Sequence, residues 1–572
     1  MAIEIIPVGT RIPKLRPHMI ETPNPVVAIN NTNEHMDLSP IKGLGTGAAT
    51  YKSGELRSLV KLHTNWLTWT QDINFVKSQI ESNAYRYYFT ADSGYDSPQS
   101  SNRVMSTSGD ASTWPTETRP LGVVAPTTPV TVNLYGTEDE KLDEVVVSYV
   151  YTYVTDWDEE SAPSEVSTVT TIEGGKYVSI QGIVDPDIDY ITHVRIYRLV
   201  AATSGDADYL AIGVRGGSIA GALKWDVPLS QITGESYQLF DCNSTTTPTG
   251  LSTAGSDVIP SETWVEPPDN MHHLTQHMGS MLLGAYDNVL CISEPMIPYA
   301  WPIEYRRTFS DDIVALGTYQ SYIVVLTGSY PYIIQGISPL GMVQQRIEQN
   351  IGCVSKRGVV STRVGVIFPA EDGLYIINGA NATCITEGLF SAAQWSALTP
   401  SSLIGFYWND CYYGFFTGSD YVIQIELQDG FVLYEMELGV DIYGGYVEEL
   451  TNDLYLLGKV GEVYRRYKYG GSSSDLDYTW QTKNFRTHPT NFEVLQIISP
   501  YDQGDIDVTV LYDWEDEDDY PDPGVYDLTF TNNEFMWLPA GELHRTIAFL
   551  ITGKSKIDSI KLASSPEELS NG

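Results

Sequence analysis

Residues 66–90 have the sequence WLTWTQDINFVKSQIESNAYRYYFT, with two short apolar runs, a polar middle and a stretch dense in tyrosine. Aromatic and β-branched residues in runs of this length favour strands over helices. A piece of this size buries one face and pairs one edge, so it is stable only beside further strands. The stretch therefore predicts one unit of a repeated β-structure whose other copies lie elsewhere in the chain.

Five further copies of this strand, turn and strand pattern occur later in the sequence. Most of their turns hold Asp, Asn, Gly or Ser, which accept the backbone angles of tight hairpins. The copies recur about every 41 to 45 residues, the period of a four-stranded propeller blade. They begin at Met281, Tyr322, Val366, Cys411 and Leu454. With the opening stretch they predict an all-β fold built on a six-bladed-like β-propeller.

A propeller is stable only when its ring is complete, so the opening stretch should lie beside the last blade. We therefore expect Trp66 to lie near Tyr455 and Tyr464. The long interval between the opening stretch and the next copy holds short strands in residues 142–245, with the size and rhythm of an immunoglobulin-like or fibronectin-like β-sandwich. The alternative, that this segment is more propeller, is less favoured because its strands lack the blade hairpin.

These patterns divide the chain into five predicted segments, and helical periodicity is scarce apart from EGLFSAAQWSAL near residues 387–398. The segments are an extended N-terminal arm (1–50), the first propeller blade and its connection (51–140), an inserted immunoglobulin/fibronectin-like β-sandwich (141–250), the remaining propeller blades (251–471) and a C-terminal β-sandwich or outer sheet with an acidic loop (472–572).

The N-terminal arm is proline-rich, which disfavours regular structure, and it carries a small basic cluster of Arg11, Lys14 and Arg16. Two interpretations stay open for this cluster. One is a solvated tail, and the other is an arm that docks on an acidic neighbour such as an adaptor protein.

The charge of the chain is strongly unbalanced, with 33 basic and 73 acidic residues and a net charge of −40. The chain is therefore not expected to bind nucleic-acid phosphates or anionic lipids by charge attraction.

The segment WEDEDDYPDPG lies between two predicted strands and is expected to be a loop. Simple solvation, a divalent cation site and repulsion of anions are its three possible roles, although EF-hand spacing is absent. The acidic candidates of this loop are Asp513, Glu515, Asp516, Glu517, Asp518, Asp519 and Asp522.

The five cysteines are widely spaced and without a CxxC pair, so they predict reduced, mostly buried thiols. The start MAIEIIPVGT places Glu4 and Pro7 inside what a secretion signal would keep apolar. No run approaches the length of a membrane span. We expect assembly in a cytoplasm, without membrane insertion by the protein itself.

The motifs HExxH, GxxxxGK[ST] and GxSxG are absent from the sequence. The histidines of MHHLTQH, His272, His273 and His277, have no matched further ligand and favour structural packing over a metal site. The segment SGDASTW at 108–114 only faintly resembles a sialidase aspartate box. The sequence predicts no catalytic, cofactor-binding or metal-binding residues, and no cofactor.

The stretches WLTWTQDINFVKSQI (66–80) and YRYYFTADSGY (85–95), YVYTYVTDWDEESAPSEVS (149–167) with ITHVRIYRL (191–199), and YTWQTKNFRTHPTNFEVLQI (478–497) together carry a family resemblance. They resemble the tail nozzle or hub protein, tail tubular protein B type, of short-tailed bacteriophages, over roughly residues 36–510. The resemblance implies a structural virion protein of the phage tail, a homohexamer below the portal-adaptor ring. It further implies a channel through which viral double-stranded DNA passes without specific binding, and an outer surface that holds tail fibres or spikes. Under this resemblance, the seven acidic candidates from Asp513 to Asp522 are expected at the lumen or rim of the channel.

Two alternatives from other classes remain. One is a propeller glycosidase or depolymerase of the tail, which needs carboxylates and arginines converging in the propeller mouth. The other is a monomeric module that binds glycans or a receptor through its tyrosines. The acidic composition and the absence of catalytic motifs fit the structural interpretation.

Overall fold

A computed structural model describes residues 2–569 of the chain with internal gaps. The residues left undescribed within this span are 8, 10, 17–18, 34–36, 51–53, 63–64, 79–85, 92–101, 107–117, 139–144, 174–175, 202–206, 212–225, 230–238, 243–258, 429–430, 501–504, 513–523 and 540–543. The described part is all-β, as the sequence predicted. Its α-helices and 3-10 turns are short: Ala392–Ala397, Pro566–Leu569, Ile303–Tyr305, Pro339–Gly341 and Pro400–Ser402.

Four antiparallel sheets contain four strands each, in sequence order. Sheet 1 consists of Ile73–Lys77, Arg86–Ala91, Asn102–Ser106 and Arg119–Pro120. Sheet 2 consists of His272–His277, Met281–Tyr286, Val289–Ile292 and Arg307–Thr308. Sheet 3 consists of Ile313–Tyr319, Tyr322–Thr327, Pro331–Gln335 and Val343–Arg346. Sheet 4 consists of Val360–Ser361, Val366–Pro369, Leu374–Asn378 and Asn381–Cys384.

Two further four-stranded groups share one long strand, Val432–Glu448. The first part of this strand pairs in sheet 5, and the second part begins sheet 6. Sheet 5 consists of Leu403–Trp408, Cys411–Phe416, Ser419–Glu426 and Val432–Glu448. Sheet 6 consists of Val432–Glu448, Asp453–Val460, Val463–Lys468 and, at its outer edge, Ala48–Ala49.

The first strands of these sheets lie side by side. His272–His277 contacts Ile73–Lys77 on one side and Ile313–Tyr319 on the other, and the order continues through sheets 4, 5 and 6. A hairpin of Ser58–Leu62 and Asn65–Trp69 then contacts Val432–Glu448 and leads into sheet 1. The opening stretch therefore lies beside the last repeat, and the predicted closure is confirmed by the ring contact of Trp66 with Tyr455.

The interval between sheets 1 and 2 forms layers of its own. One sheet holds Thr131–Tyr135, Tyr177–Gln181 and Leu239–Cys242, and another holds Tyr149–Thr155, Ile191–Ala201, Ala207–Ala211 and Asp226–Pro228. A third pair joins Val145–Val147 and Thr170–Ile172. Their core is continuous and includes Val130, Tyr149, Tyr151, Val178 and Val194. This unit begins before the predicted boundary at residue 141, because Thr131–Tyr135 pairs with Tyr177–Gln181.

The C-terminal part contains two packed layers, and the second layer continues through Val27–Ile29 into the 13-stranded sheet that includes sheets 5 and 6. One holds Ala2–Ile5, Ser559–Ala563, Val494–Ile498 and Met536–Trp537. The other holds Val27–Ile29, Tyr478–Gln481, His544–Gly553, Ile506–Tyr512 and Gly524–Phe530, with Phe485–Thr490 also on His544–Gly553. Trp480, Leu495, Val508, Phe549 and Ile560 belong to the core between them.

The predicted N-terminal arm is bound at several points along its length. Ala2–Ile5 pairs with Ser559–Ala563, and Val27–Ile29 pairs with Tyr478–Gln481. A short pair of Asn31–Thr32 with Ser39–Pro40 follows, and Ala48–Ala49 completes the edge of sheet 6. The N-terminal residues are therefore part of the C-terminal sheets and of the ring of sheets. Strands this short give almost no periodicity in a sequence.

Candidate functional site

Arg357, just before the first strand of sheet 4, contacts three other segments of the ring of sheets. Its Nη2 donates to the carbonyl oxygens of Arg57 and Tyr443 at 2.7 and 2.9 Å, and its Nε lies 3.2 Å from Oδ1 of Asp72. A Cβ at Gly444 would lie 2.4 Å from the Arg57 carbonyl oxygen, so the close approach requires glycine. The guanidinium thus joins sheet 4, sheet 6 and the closing hairpin.

The histidines predicted to have a packing role lie on the first strand of sheet 2. The strand is irregular, with His273 at φ 58° and a register shift between His272 and Thr275. Burial lowers the pKa of His277 to about 4, and burial followed by the charge of Lys356 holds the pKa of His273 well below its usual value. Both rings are therefore neutral near pH 7. Among the described residues, no group of three or more His, Cys, Asp or Glu is arranged to hold a metal ion.

Four cysteines are described, and all are free. Cys291, Cys353 and Cys411 are buried, and Cys384 is half-buried. Burial raises the pKa of the Cys291 and Cys353 thiols to about 12. These two thiols are therefore protonated near pH 7, and the burial of three of the four free cysteines agrees with the predicted mostly buried thiols.

A second charged cluster joins sheet 1 to the inserted unit between sheets 1 and 2. In the loop after Tyr149–Thr155, Glu159 accepts from Arg86 at 2.6 Å, and Asp156 takes two hydrogen bonds from Arg119 at 2.5 and 2.9 Å. Both guanidinium groups also stack on Trp157, at 4.5 and 4.0 Å from its ring. Arg86 and Arg119 thus hold the loop that carries Trp157 against the ring of sheets. We call these three residues with Glu159 and Asp156 the clasp.

The carboxyl groups of the clasp differ in their surroundings. Burial raises the pKa of Glu159 to about 7, although Arg86 and Arg119 oppose this shift. The next residue, Glu160, is also buried, and its Oε1 accepts from Tyr197 at 2.6 Å and from Ser261 at 3.1 Å. Glu160 thereby joins the inserted unit to the segment that follows it. Neither role was predictable from the sequence, because DWDEE resembles a polar turn and its cationic partners are distant in sequence.

The structure places the basic residues of the arm on different partners. Arg11 Nη1 lies 2.5 Å from Oε2 of Glu435, a side chain that is only 2% exposed, and its Nε donates to Val26. Lys14 Nζ donates to the carbonyl oxygen of Glu387 at 2.8 Å, whereas Arg16 is exposed. Arg11 and Lys14 therefore hold the arm against its own chain, and docking on an adaptor stays a prediction.

All seven acidic candidates, Asp513 to Asp522, lie outside the described residues. The hairpin that carries them is described: Ile506–Tyr512 pairs with Gly524–Phe530 at the edge of a C-terminal sheet. On this hairpin Asp527 accepts from Thr509 and Asp507 from Thr529, both at 2.7 Å. The lumen or rim location of the acidic loop stays a prediction.

The comparisons with known proteins give limited information. No protein-family model matches the chain, and no curated protein is similar to it in sequence. Hsv2 of Kluyvelomyces marxianus is 10% identical, with 56% of this chain and 89% of that chain covered and a TM-score of 0.24. BBS1N, solved in complex with ARL6DN, is 11% identical, with coverages of 49% and 89% and a TM-score of 0.25.

Glutaminyl cyclase of Myxococcus xanthus is 12% identical, covers 34% of this chain and 87% of its own, and has a TM-score of 0.20. Superpositions this loose carry no argument about activity, ligand or partner. Within the described part of the chain, no helix has the length and hydropathy of a membrane span.

Proposed function

We propose that this chain is a structural virion protein that forms the hexameric tail nozzle or hub of a short-tailed phage. The observation that carries the proposal is the interlocking of the two chain ends with the ring of sheets. Ala48–Ala49 completes sheet 6, and Ala2–Ile5 and Val27–Ile29 complete the C-terminal sheets. A scaffold joined in this way resists opening, which suits a part that holds its shape while a genome passes.

The proposed fold is a six-bladed β-propeller that comprises sheets 1–6, with an inserted immunoglobulin/fibronectin-like sandwich and a C-terminal β-sandwich. Support comes from the side-by-side order of the first strands and from the separate core of the inserted unit. The guanidinium donors of Arg357 bind the carbonyl oxygens of Arg57 and Tyr443 within the ring of sheets. This favours a structural role for Arg357 over a substrate-binding role in a glycan-binding or glycan-degrading tail protein.

The proposed hexamer lies below the portal-adaptor ring and passes double-stranded DNA without specific binding. A net charge of −40 per chain supports weak contact with a polyanion. Screening limits the reach of each carboxylate ring to about 8 Å at physiological salt, so a channel needs several such rings along its length. The loop with Asp513 to Asp522 is the candidate for one of them, and tail fibres or spikes bind the outside.

The proposal is tested by electron microscopy of the purified full chain and of particles assembled with portal and adaptor proteins. A sixfold ring below the adaptor is expected, and single copies in both samples would contradict a nozzle. The lumen role is tested by replacing Glu515, Asp516, Glu517, Asp518 and Asp519 with the neutral amides. Genome ejection should slow at low salt and recover as salt rises. An unchanged ejection rate would assign the loop to another role.

A further inference from the structure

Sheet 3 differs in charge from the rest of the chain. Its residues 313–346 contain no Asp or Glu, although 73 of the 572 residues of the protein are acidic. The single charged residue of this stretch is Arg346, which pairs with Glu348 at 2.8 Å. These 34 residues form the four strands of sheet 3 and the turns between them, so sheet 3 is nearly free of charge.

The outer end of sheet 3 exposes apolar side chains on an anchored loop. Ile337 is 76% exposed and Leu340 65% exposed, while Pro339 and Met342 between and after them are buried. Gly336 adopts φ +150°, where a Cβ would meet Met342 at 2.9 Å, so the bend that presents the loop requires glycine. The loop is therefore held in one conformation with its apolar residues outward.

Neighbouring elements extend this surface. Val343 begins the last strand of the sheet and is 69% exposed, and Ile303 on the adjacent 3-10 turn of sheet 2 is 58% exposed. Arg307 fastens the two turns together, because its Nη2 donates to the Pro339 carbonyl oxygen at 2.8 Å. We call this surface, Ile303, Ile337, Leu340 and Val343, the apolar edge.

The strand Val343–Arg346 has one partner strand among the described residues, Pro331–Gln335, and all four of its side chains are exposed. An open edge strand offers N–H and C=O groups to another chain, and proteins usually protect such edges with charges, bulges or cover. Here the first three residues, Val343 to Gln345, are uncharged. This edge thus offers exposed apolar side chains together with backbone groups that can pair with a strand of another chain.

We propose that a second copy of this chain docks on the apolar edge. Two copies that each carry a net charge of −40 repel one another, so they meet at least cost on an uncharged face. The core of an interface is depleted in charge and enriched in apolar side chains, which matches the apolar edge. The proposal rests on the ring assembly of the proposed function and names its contact surface. In a closed ring each copy presents this edge to a different face of the next copy.

The test replaces Leu340 and Val343 together with Asp in the full chain. The matched control replaces Leu450 and Val460 together with Asp, which adds the same two negative charges. Leu450 is 92% exposed on the turn between Val432–Glu448 and Asp453–Val460, and Val460 is 53% exposed. Sedimentation velocity over a range of protein concentrations measures assembly, and far-UV circular dichroism with thermal melting verifies the fold. We expect the double variant to assemble at least tenfold more weakly, with an unchanged melting curve, while the control behaves like wild type.

The outcomes separate this proposal from the proposed function. Wild-type hexamers that persist unchanged in the double variant overturn the docking surface and leave the nozzle intact. A wild-type dimer that is lost in the double variant supports the docking surface and contradicts a hexameric ring. Wild-type protein that stays monomeric at every concentration contradicts self-docking. To cover a double variant that fails to fold, Val343→Lys alone is measured in the same way, and a folded variant with unchanged assembly also overturns the proposal.

Discussion

The indole of Trp66 packs against the phenol ring of Tyr455, with their centroids 4.5 Å apart. Arg466 stacks on the same indole at 4.2 Å, and Leu59 and Tyr464 belong to the cluster around it. Trp66 comes from the hairpin before sheet 1, whereas Tyr455 and Tyr464 come from sheet 6. The contact therefore joins the first and last parts of the ring of sheets. We call this cluster of Trp66, Tyr455, Tyr464 and Arg466 the seam, and Trp66 contacts both strands of sheet 6 that take part in it.

Removal of this indole should destabilise the whole ring. Trp66→Ala leaves a cavity between Tyr455, Tyr446 and Arg466, and we expect a loss of about 3 kcal/mol in the free energy of unfolding. Urea unfolding followed by circular dichroism measures the loss. The control is Trp537→Ala, a more exposed tryptophan of the C-terminal sheet, which should cost less than about 1 kcal/mol. Equal effects of the two substitutions would contradict a special role for the seam.

The ion pair of Arg11 and Glu435 should stabilise the docked arm. Arg11→Ala leaves a buried carboxylate without its cation, and we expect a loss of about 2 kcal/mol, less than for a fully buried pair because Arg11 reaches solvent. Arg16→Ala, in the same arm and exposed, should change stability by no more than about 0.5 kcal/mol. Urea unfolding measures both changes, and limited proteolysis detects release of the arm. An arm that is cleaved equally fast in both variants would show that Arg11 does not hold it.

Glu159 should make stability depend on pH. The pKa of Glu159 is about 7 in the folded protein, above its ordinary value of 4.5. Between these two pH values the folded state therefore keeps a proton that the unfolded state has released. Stability gained from the raised pKa is present at low pH and is lost as pH rises toward 7. As the pH rises from 4.5 to 7, the free energy of unfolding of wild type should fall by about 3 kcal/mol relative to that of Glu159→Gln. Urea unfolding of both proteins at pH 4.5, 6 and 8 measures the difference, which a pH-independent offset would contradict.

Much of the ring of sheets was predictable from local patterns. The hairpins at Met281, Tyr322 and Cys411 form as expected, because alternating apolar residues and tight turns act over a few positions. The one predicted helical stretch contains Ala392–Ala397, where Ser391 and Gln394 form a capping box. Closure was also predictable, since a ring of blades needs its ends to meet.

Apart from the closure of the ring, the contacts between distant segments were not predictable. Ala2–Ile5 and Ala48–Ala49 are too short to show periodicity, and their partners lie near the other end of the chain. The clasp of Trp157 by Arg86 and Arg119 has the same cause, because its three residues are brought together only by the fold. The acidic loop gave a clear compositional signal, but composition does not determine which surface a loop faces.

The boundaries of the inserted unit between sheets 1 and 2 give the last prediction, in which two deletions of different length are compared. The strand Thr131–Tyr135 and the buried residues Val123 and Val130 belong to this unit, whereas Leu121 packs with the ring through Met271. Replacement of residues 123–259 by a Gly/Ser bridge therefore removes one complete core and should leave a soluble ring that melts cooperatively. Replacement of residues 142–245, the span of the strands recognised in the sequence, leaves Thr131–Tyr135 without its partner strand and exposes its apolar face, so this protein should aggregate. Size-exclusion chromatography and thermal melting distinguish the two. Aggregation of the longer deletion would show that the ring depends on the inserted unit for folding, and equal behaviour of both proteins would contradict the boundary at residue 123.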